Sequence, residues 1–116
     1  MPKLIEAYIH SNSKIGVLLE LEFLNEQNRQ EEALRQLASD IALQIAAANP
    51  ERVEPARSAD VVSIQTREAT KGEIDEGALL TQRFVKKPDI TVGQLIEKVN
   101  EALQEDIEVI RFERYD

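Results

Sequence analysis

The chain has 116 residues with 22 acidic and 14 basic side chains, one histidine and no cysteine, and its net charge of −8 is spread over both halves. This length predicts a single domain over residues 1–116, and the excess of negative charge disfavours direct binding of nucleic acid. Without cysteine, a long apolar run or a signal-peptide pattern, the sequence argues against disulfides, thiol catalysis and a membrane span, and favours the cytoplasm.

Two stretches of alternating apolar residues open the chain. In residues 4–10, three apolar side chains share one face of an extended strand: Ile5, Ala7 and Ile9. In residues 15–23 every second side chain is apolar, from Ile15 to Phe23. The residues between them, 11–14, are of the types that form turns. The pattern therefore predicts an antiparallel hairpin.

A helical spacing replaces this alternation after about residue 25. Apolar residues then recur every three or four positions: Leu34, Leu37, Ile41 and Ile45. Either Asn25 or Asn28 is predicted to cap the start of the helix. Pro50 is predicted to end it, because the residue before a proline avoids helical torsions. The alanines beside the apolar stripe predict a helix that lies close against the hairpin.

Residues 51–80 give the least regular pattern. Pro55, Gly72, Gly77 and alternating charges predict an irregular segment with room for one short helix. A short strand is predicted within residues 79–85.

A second helix and a closing strand are predicted at the end of the chain. Thr91 and Gln94 have the spacing of a capping box, and the apolar stripe that follows reaches Leu103. Residues 107–112 are rich in β-branched side chains and predict a strand. The order of elements predicts an α+β fold, in which a small antiparallel sheet, made of the hairpin and the C-terminal strand, is packed on one face by two main helices.

The sequence contains little that points to catalysis. It has no glycine-rich phosphate loop, no pair of histidines at metal-ligand spacing and no serine nucleophile elbow. The acidic pairs at 31–32 and 105–106 are interpreted as solvated charge, because two carboxylates lack the ligand number that selects a metal. A lone histidine at a strand end, His10, is ordinarily a surface residue. We therefore expect no enzyme, no cofactor and no metal site, but a surface that binds a partner.

Four blocks of the sequence together resemble the core domain of bacterial elongation factor Ts, in the order found in that family. They are residues 4–21, 40–50, 83–96 and 110–112. The resemblance implies a translation factor that binds the GTPase elongation factor Tu and promotes release of its GDP, with no covalent step. Some members of the family also pair with a second copy of this core, so a homodimer is expected.

The resemblance also points to contact residues. In the family an aspartate and a phenylalanine just after the second strand contact the GTPase, and an ungapped alignment places Asn25, Glu26, Gln27 and Asn28 there. Glu26 keeps a carboxylate, whereas Gln27 lacks an aromatic ring. His10 occupies the place of a histidine that family members use as a second GTPase contact. The resemblance thus implies these five residues as partner-binding residues.

Two alternatives stay open at the level of the sequence. The resemblance begins at Leu4, so the helical amino-terminal domain of the family has no counterpart, and residues 51–80 are shorter than the family's helical excursion. The chain is therefore either an excised core or a standalone relative. Its function is either nucleotide exchange or self-association by a module that has kept the fold and lost exchange.

Overall fold

A computed structural model describes residues 1–54 and 76–116, and most of the irregular segment predicted at 51–80 lies outside these ranges. The described elements are, in chain order, strands β1 (Lys3–Ile9) and β2 (Gly16–Glu22), helix α1 (Glu32–Ala48), strands β3 (Arg83–Phe84) and β4 (Lys87–Thr91), helix α2 (Val92–Leu103) and strand β5 (Glu108–Tyr115). Short 3-10 turns occupy Glu26–Asn28 and Leu79–Thr81. This order confirms the predicted α+β class.

Strands β1, β2 and β5 form a three-stranded antiparallel sheet in which β2 is central. In the hairpin, Leu4 pairs with Leu21 and Ile9 pairs with Gly16. Strand β5 pairs with the other edge of β2 and continues to Tyr115, three residues beyond the predicted end. The predicted sheet, made of the hairpin and the C-terminal strand, is therefore confirmed.

One face of this sheet packs against α1 and forms the core. The buried apolar side chains of β2 and the residue after it are Val17, Leu19, Leu21 and Phe23, and those of the α1 stripe are Leu34, Leu37, Ile41 and Ile45. Ala38, Ala42 and Ala46 are also buried, and their small side chains let α1 approach the strands closely. Helix α2 packs on α1 and adds Val92 and Ile96 to the same core.

The apolar face of β1 that carries Ile5, Ala7 and Ile9 is not the face that packs on the core. Leu4 is only 5% exposed, whereas Ile5 is 54% exposed and Ile9 is 66% exposed. The hairpin register explains the difference, because directly paired residues point to the same face of a sheet. Leu4 pairs with the fully buried Leu21, so the alternate residues of β1 are turned to the outer face.

Helix α1 begins later than predicted. Its first residue is Glu32 and its N-cap position is Glu31, which makes no side-chain capping bond. Neither Asn25 nor Asn28 caps the helix, because both belong to a separate turn before it. The helix therefore begins without a side-chain cap, seven residues after Asn25.

The predicted end of α1 and the predicted capping box are confirmed, whereas the short strand predicted within residues 79–85 differs in the structure. Helix α1 ends as Asn49 takes a left-handed φ of 49° before Pro50. The capping box is present, since Thr91 accepts from the Gln94 backbone N–H at 3.1 Å and the Gln94 side chain accepts from the Thr91 backbone N–H at 2.9 Å. Residues 79–85, predicted as one short strand, form a 3-10 turn followed by the two-residue β3, which pairs with β4.

Candidate partner-binding site

A single turn after β2 carries four of the predicted contact residues. Glu26, Gln27 and Asn28 form one 3-10 turn, and Asn25 precedes it. The side chains of Glu26 and Gln27 are exposed, whereas those of Asn25 and Asn28 are half-buried. The turn therefore presents one carboxylate and one amide to solvent.

Arg29 holds the carboxylate of Glu26 in place. Its guanidinium donates two hydrogen bonds to Glu26, with 3.0 Å between Nη2 and Oε1. A third hydrogen bond runs from Nη1 to the carbonyl oxygen of Lys3 at 2.8 Å, and the guanidinium carbon lies 5.4 Å from the centroid of the Phe23 ring. The hydrogen bond from Arg29 lowers the pKa of Glu26, so this carboxylate is charged at neutral pH.

A buried carboxylate from the far end of the chain holds the backbone next to this turn. Glu105 follows α2 and is 8% exposed. Its Oε1 accepts the N–H of Leu24 at 2.6 Å, and its Oε2 accepts the N–H of Asn25 at 2.9 Å and the Nδ2 of Asn28 at 2.7 Å. Burial raises the pKa of Glu105, but the hydrogen bonds that it accepts outweigh burial and lower the pKa.

The interpretation of the 105–106 pair as solvated charge is therefore wrong for Glu105, although Asp106 is exposed. The donors to Glu105 come from residues about eighty positions earlier in the chain, and no local pattern indicates such a contact. Arg29, in contrast, follows Glu26 at a spacing of three residues, which is a recognised signal for an ion pair on one turn.

His10 directly follows β1 and contacts Tyr8. The Tyr8 hydroxyl lies 3.1 Å from the Nδ1 of His10. The backbone of His10 is fixed by the hairpin turn, since its N–H donates to Ile15 and its carbonyl oxygen accepts from Ser13, both at 2.8 Å. When the tyrosine hydroxyl donates, the neutral imidazole carries its proton on Nε2.

The two groups of predicted contact residues lie at opposite ends of the hairpin. His10 comes after the end where Ile9 pairs with Gly16, whereas residues 25–28 come after the end where Lys3 pairs with Glu22. At about 3.3 Å per residue, strands of this length separate the two ends by roughly 20 Å. The structure does not bring His10 and residues 25–28 into one site.

The outer face of the sheet carries a group of exposed apolar side chains, which we call the outer-face patch: Ile5, Ala7, Ile9, Leu18 and Tyr115. A shallow groove beside the hairpin turn is lined in part by Ile9, Leu18 and Tyr115. The other end of this face is polar, because Glu20 lies between Arg111 and Lys3 at 2.9 and 3.2 Å. A contiguous exposed apolar surface of this kind indicates an interaction site.

Within residues 1–54 and 76–116, no group of three or more acidic or histidine side chains could hold a metal ion. No helix in these same ranges is long and apolar enough to cross a membrane. The described part of the chain is a small α+β fold, with a charged turn after one end of β2 and exposed apolar side chains on the outer face of its sheet.

Comparison with known proteins identifies the family. Residues 1–73 match the family model for elongation factor Ts. Elongation factor Ts of Clostridioides difficile is 31% identical over 97% of this chain and 43% of its own length, and that of Alkaliphilus oremlandii is 34% identical over 97% and 62%. The Rubrobacter xylanophilus protein is 32% identical over 97% of this chain and 69% of its own length. The chain belongs to the elongation factor Ts family, and it spans 43% to 69% of the length of these relatives.

Proposed function

We propose that this chain is a cytoplasmic translation factor that binds the GTPase elongation factor Tu and promotes release of its GDP, without covalent catalysis. The observation that carries the proposal is the similarity to elongation factor Ts across 97% of the chain. The exposed turn with Glu26 and Gln27 supports it, because the turn is held in a defined conformation and is open to a partner. We propose no role for nucleic acid or membrane as a direct partner.

The physical basis of exchange is a difference in affinity. A protein that binds the nucleotide-free GTPase more tightly than the GDP-bound form must, by linkage, weaken the binding of GDP. A carboxylate brought close to the magnesium end of a nucleotide site competes for the ion, whereas a glutamine only forms hydrogen bonds. We therefore assign the larger effect to Glu26 and the smaller one to Gln27, with His10 as a separate contact at the other end of the hairpin.

Release of fluorescent GDP from elongation factor Tu tests this proposal directly. We expect the release rate to rise with the concentration of this chain and to reach a plateau. A release rate that stays at the intrinsic value, at concentrations where binding to the GTPase is saturated, would contradict exchange activity.

The alternative function is self-association by a module that has lost exchange, and the outer-face patch favours it. Five exposed apolar residues on one sheet face are costly to leave in water, and a second copy of the chain would cover them. Most such pairs have two-fold symmetry, which brings the same patch of each copy together. A stable dimer without any effect on GDP release would support this alternative over exchange.

A further inference from the structure

We propose that Glu105 is a positioning residue for the partner-binding loop, residues 24–28, whose conformation it maintains so that Glu26 and Gln27 face the partner. This inference rests on the proposed function, because it concerns the same loop. It adds a residue that lies outside the loop and close to the other end of the chain.

The geometry around the Glu105 carboxylate supports this role. Four donors surround its two oxygens: the backbone N–H groups of Leu24 at 2.6 Å, Asn25 at 2.9 Å and Asp106 at 3.3 Å, and the Nδ2 of Asn28 at 2.7 Å. Hydrogen bonds to an ionised carboxylate are shorter and stronger than those between neutral groups. Three of these donors belong to the loop, and they lie on both sides of Glu26 in the sequence.

The loop has few other means of keeping its shape. No residue of its 3-10 turn is buried, and Leu24 is 48% exposed, so apolar packing contributes little. The turn itself closes only short-range hydrogen bonds, from the N–H of Asn28 to Asn25 at 2.9 Å and from the N–H of Arg29 to Glu26 at 3.0 Å. Short 3-10 segments have weak intrinsic stability. Arg29 also links Glu26 to the carbonyl oxygen of Lys3, and the Nδ2 of Asn28 lies 3.5 Å from the carbonyl oxygen of Leu103. Within the described residues, the carboxylate of Glu105 adds to these contacts by accepting from the backbone N–H groups of Leu24 and Asn25.

A glutamine at this position cannot replace the carboxylate. Each oxygen of Glu105 accepts two hydrogen bonds, Oε1 from Leu24 and Asp106, and Oε2 from Asn25 and Asn28. In either orientation of the amide, its NH₂ group would face a backbone N–H of the loop, that of Leu24 or that of Asn25, and could not accept from it. Glu105→Gln keeps the size of the side chain but removes a hydrogen bond from the loop backbone and leaves that N–H group opposed to another donor.

The expected consequence for partner binding follows from the cost of ordering the loop. When only a fraction of molecules has the binding-competent conformation, the apparent affinity falls by that fraction, while the fully bound complex is unchanged. E105Q should therefore raise the concentration of the chain that gives half-maximal GDP release, by about tenfold. The maximal release rate at saturation should stay the same.

The experiment combines amide hydrogen exchange, resolved by residue, with release of fluorescent GDP from elongation factor Tu. In E105Q we expect exchange at the Leu24 and Asn25 amides to be at least about tenfold faster, with core amides such as that of Ile41 unchanged. Glu101→Gln is the matched control, because it removes one negative charge from an exposed position on α2 close to Glu105. The control should match the wild type in both measurements.

The outcomes separate this inference from the proposed function. Unchanged amide exchange at Leu24 and Asn25 in E105Q would overturn the positioning role of Glu105. Faster exchange with an unchanged half-maximal concentration for GDP release would also overturn it. In both cases, a wild type that accelerates GDP release would leave the proposed function intact. A wild type that does not accelerate GDP release would contradict the proposed function itself, and the positioning role would fall with it.

A second variant covers the case in which E105Q does not fold. Asn28→Ala keeps the Glu105 carboxylate and removes one of its donors. Exchange at the Leu24 amide, which donates to the other oxygen of Glu105, should then be faster than in the wild type. An unchanged Leu24 amide in this variant would overturn the proposal.

Discussion

Glu20 and Glu105 are both buried carboxylates, but different groups compensate their charges. Glu20 lies between Arg111 and Lys3, whose hydrogen bonds lower its pKa. Among the residues that the structure describes, Glu105 is hydrogen-bonded to N–H groups of neutral residues and of its neighbour Asp106, so oriented dipoles stabilise its charge. A carboxylate that accepts several hydrogen bonds restrains all of its donors together. Glu105 can therefore influence the whole of the loop at residues 24–28.

The lowered pKa of Glu105 predicts a defined dependence of stability on pH. Because the folded protein binds the proton of this carboxyl more weakly than the unfolded chain does, the stabilisation is present above the ordinary value of 4.5 and is lost as the pH falls through the folded pKa. We expect the wild type to have a higher free energy of unfolding than E105Q at pH 7, and this difference to shrink below about pH 4.5. Urea unfolding at several pH values measures it, with Glu101→Gln as the control for the neighbouring charge. A constant difference from pH 7 to 3 would contradict the prediction.

The exposed turn predicts a graded effect on exchange. Removal of the carboxylate in Glu26→Ala should slow the accelerated release of GDP by about tenfold, as expected for the loss of one charged contact at an interface. Gln27→Phe should increase it, because the ring restores the apolar group that the family has there. His10→Ala should lower it, and the exposed Glu32→Ala serves as the control. Unchanged release in both Glu26→Ala and His10→Ala would place the contact elsewhere on the surface.

At the scale of elements, the central contact is that between α1 and the inner face of the hairpin. Buried alanines on α1 reduce the separation between the helix and the strands, and the larger side chains of the stripe fill the space on either side. The inner-face side chains of β2 are buried under α1, and its backbone hydrogen bonds are satisfied by β1 on one edge and β5 on the other. This arrangement makes the helix and the hairpin depend on each other for stability.

Ile41 is the residue at which this dependence is measured most directly. It is fully buried in the core, so Ile41→Ala leaves a cavity as well as removing apolar contact, and we expect a loss of about 2–5 kcal/mol in the free energy of unfolding. Ser39→Ala, at an exposed position two residues away on the same helix, should change it by less than about 0.5 kcal/mol. Chemical denaturation measures both variants. A loss well below about 1 kcal/mol for Ile41→Ala would contradict the role assigned to α1.

At the scale of the whole molecule, the charged turn and the outer-face patch are separate surfaces. The patch is concentrated toward the end of the sheet where Tyr115 pairs with Gly16, whereas the turn follows the opposite end of β2. Residues 25–28 are therefore remote from the patch, whereas His10, the second proposed contact, directly follows Ile9 at the patch end of the hairpin. A partner that contacts only residues 25–28 and a second copy at the patch would use different surfaces, whereas a partner that also contacts His10 would approach the patch.

Self-association through the patch predicts a specific dissociating variant. Leu18 lies on the central strand and is 55% exposed, so Leu18→Glu places a charge where a dimer would bury apolar surface. We expect the wild type to be a dimer and this variant a monomer by light scattering, over a concentration range of about a hundredfold. Val85→Glu changes an apolar residue that is similarly exposed but outside the patch, and it should remain dimeric. A wild type that is monomeric throughout would contradict the proposal.

The sequence by itself determined those features that depend on residues close together in the chain. The alternation in β2, the apolar stripe of α1 and the capping box of Thr91 and Gln94 were all predictable, because the periods of strands and helices and the reach of a cap span only a few residues. The candidate contact residues came from resemblance to a family, since the same residue types in a turn have no chemical signature of their own.

Only the tertiary structure decided which face of β1 is buried, because both of its faces carry apolar side chains and the choice depends on its register with β2. It also decided the role of Glu105, whose donors lie near the other end of the chain. The separation of His10 from residues 25–28 likewise follows from the direction of the strands between them. In each case the deciding contact joins residues that are distant in sequence, and local periodicity carries no information about such contacts.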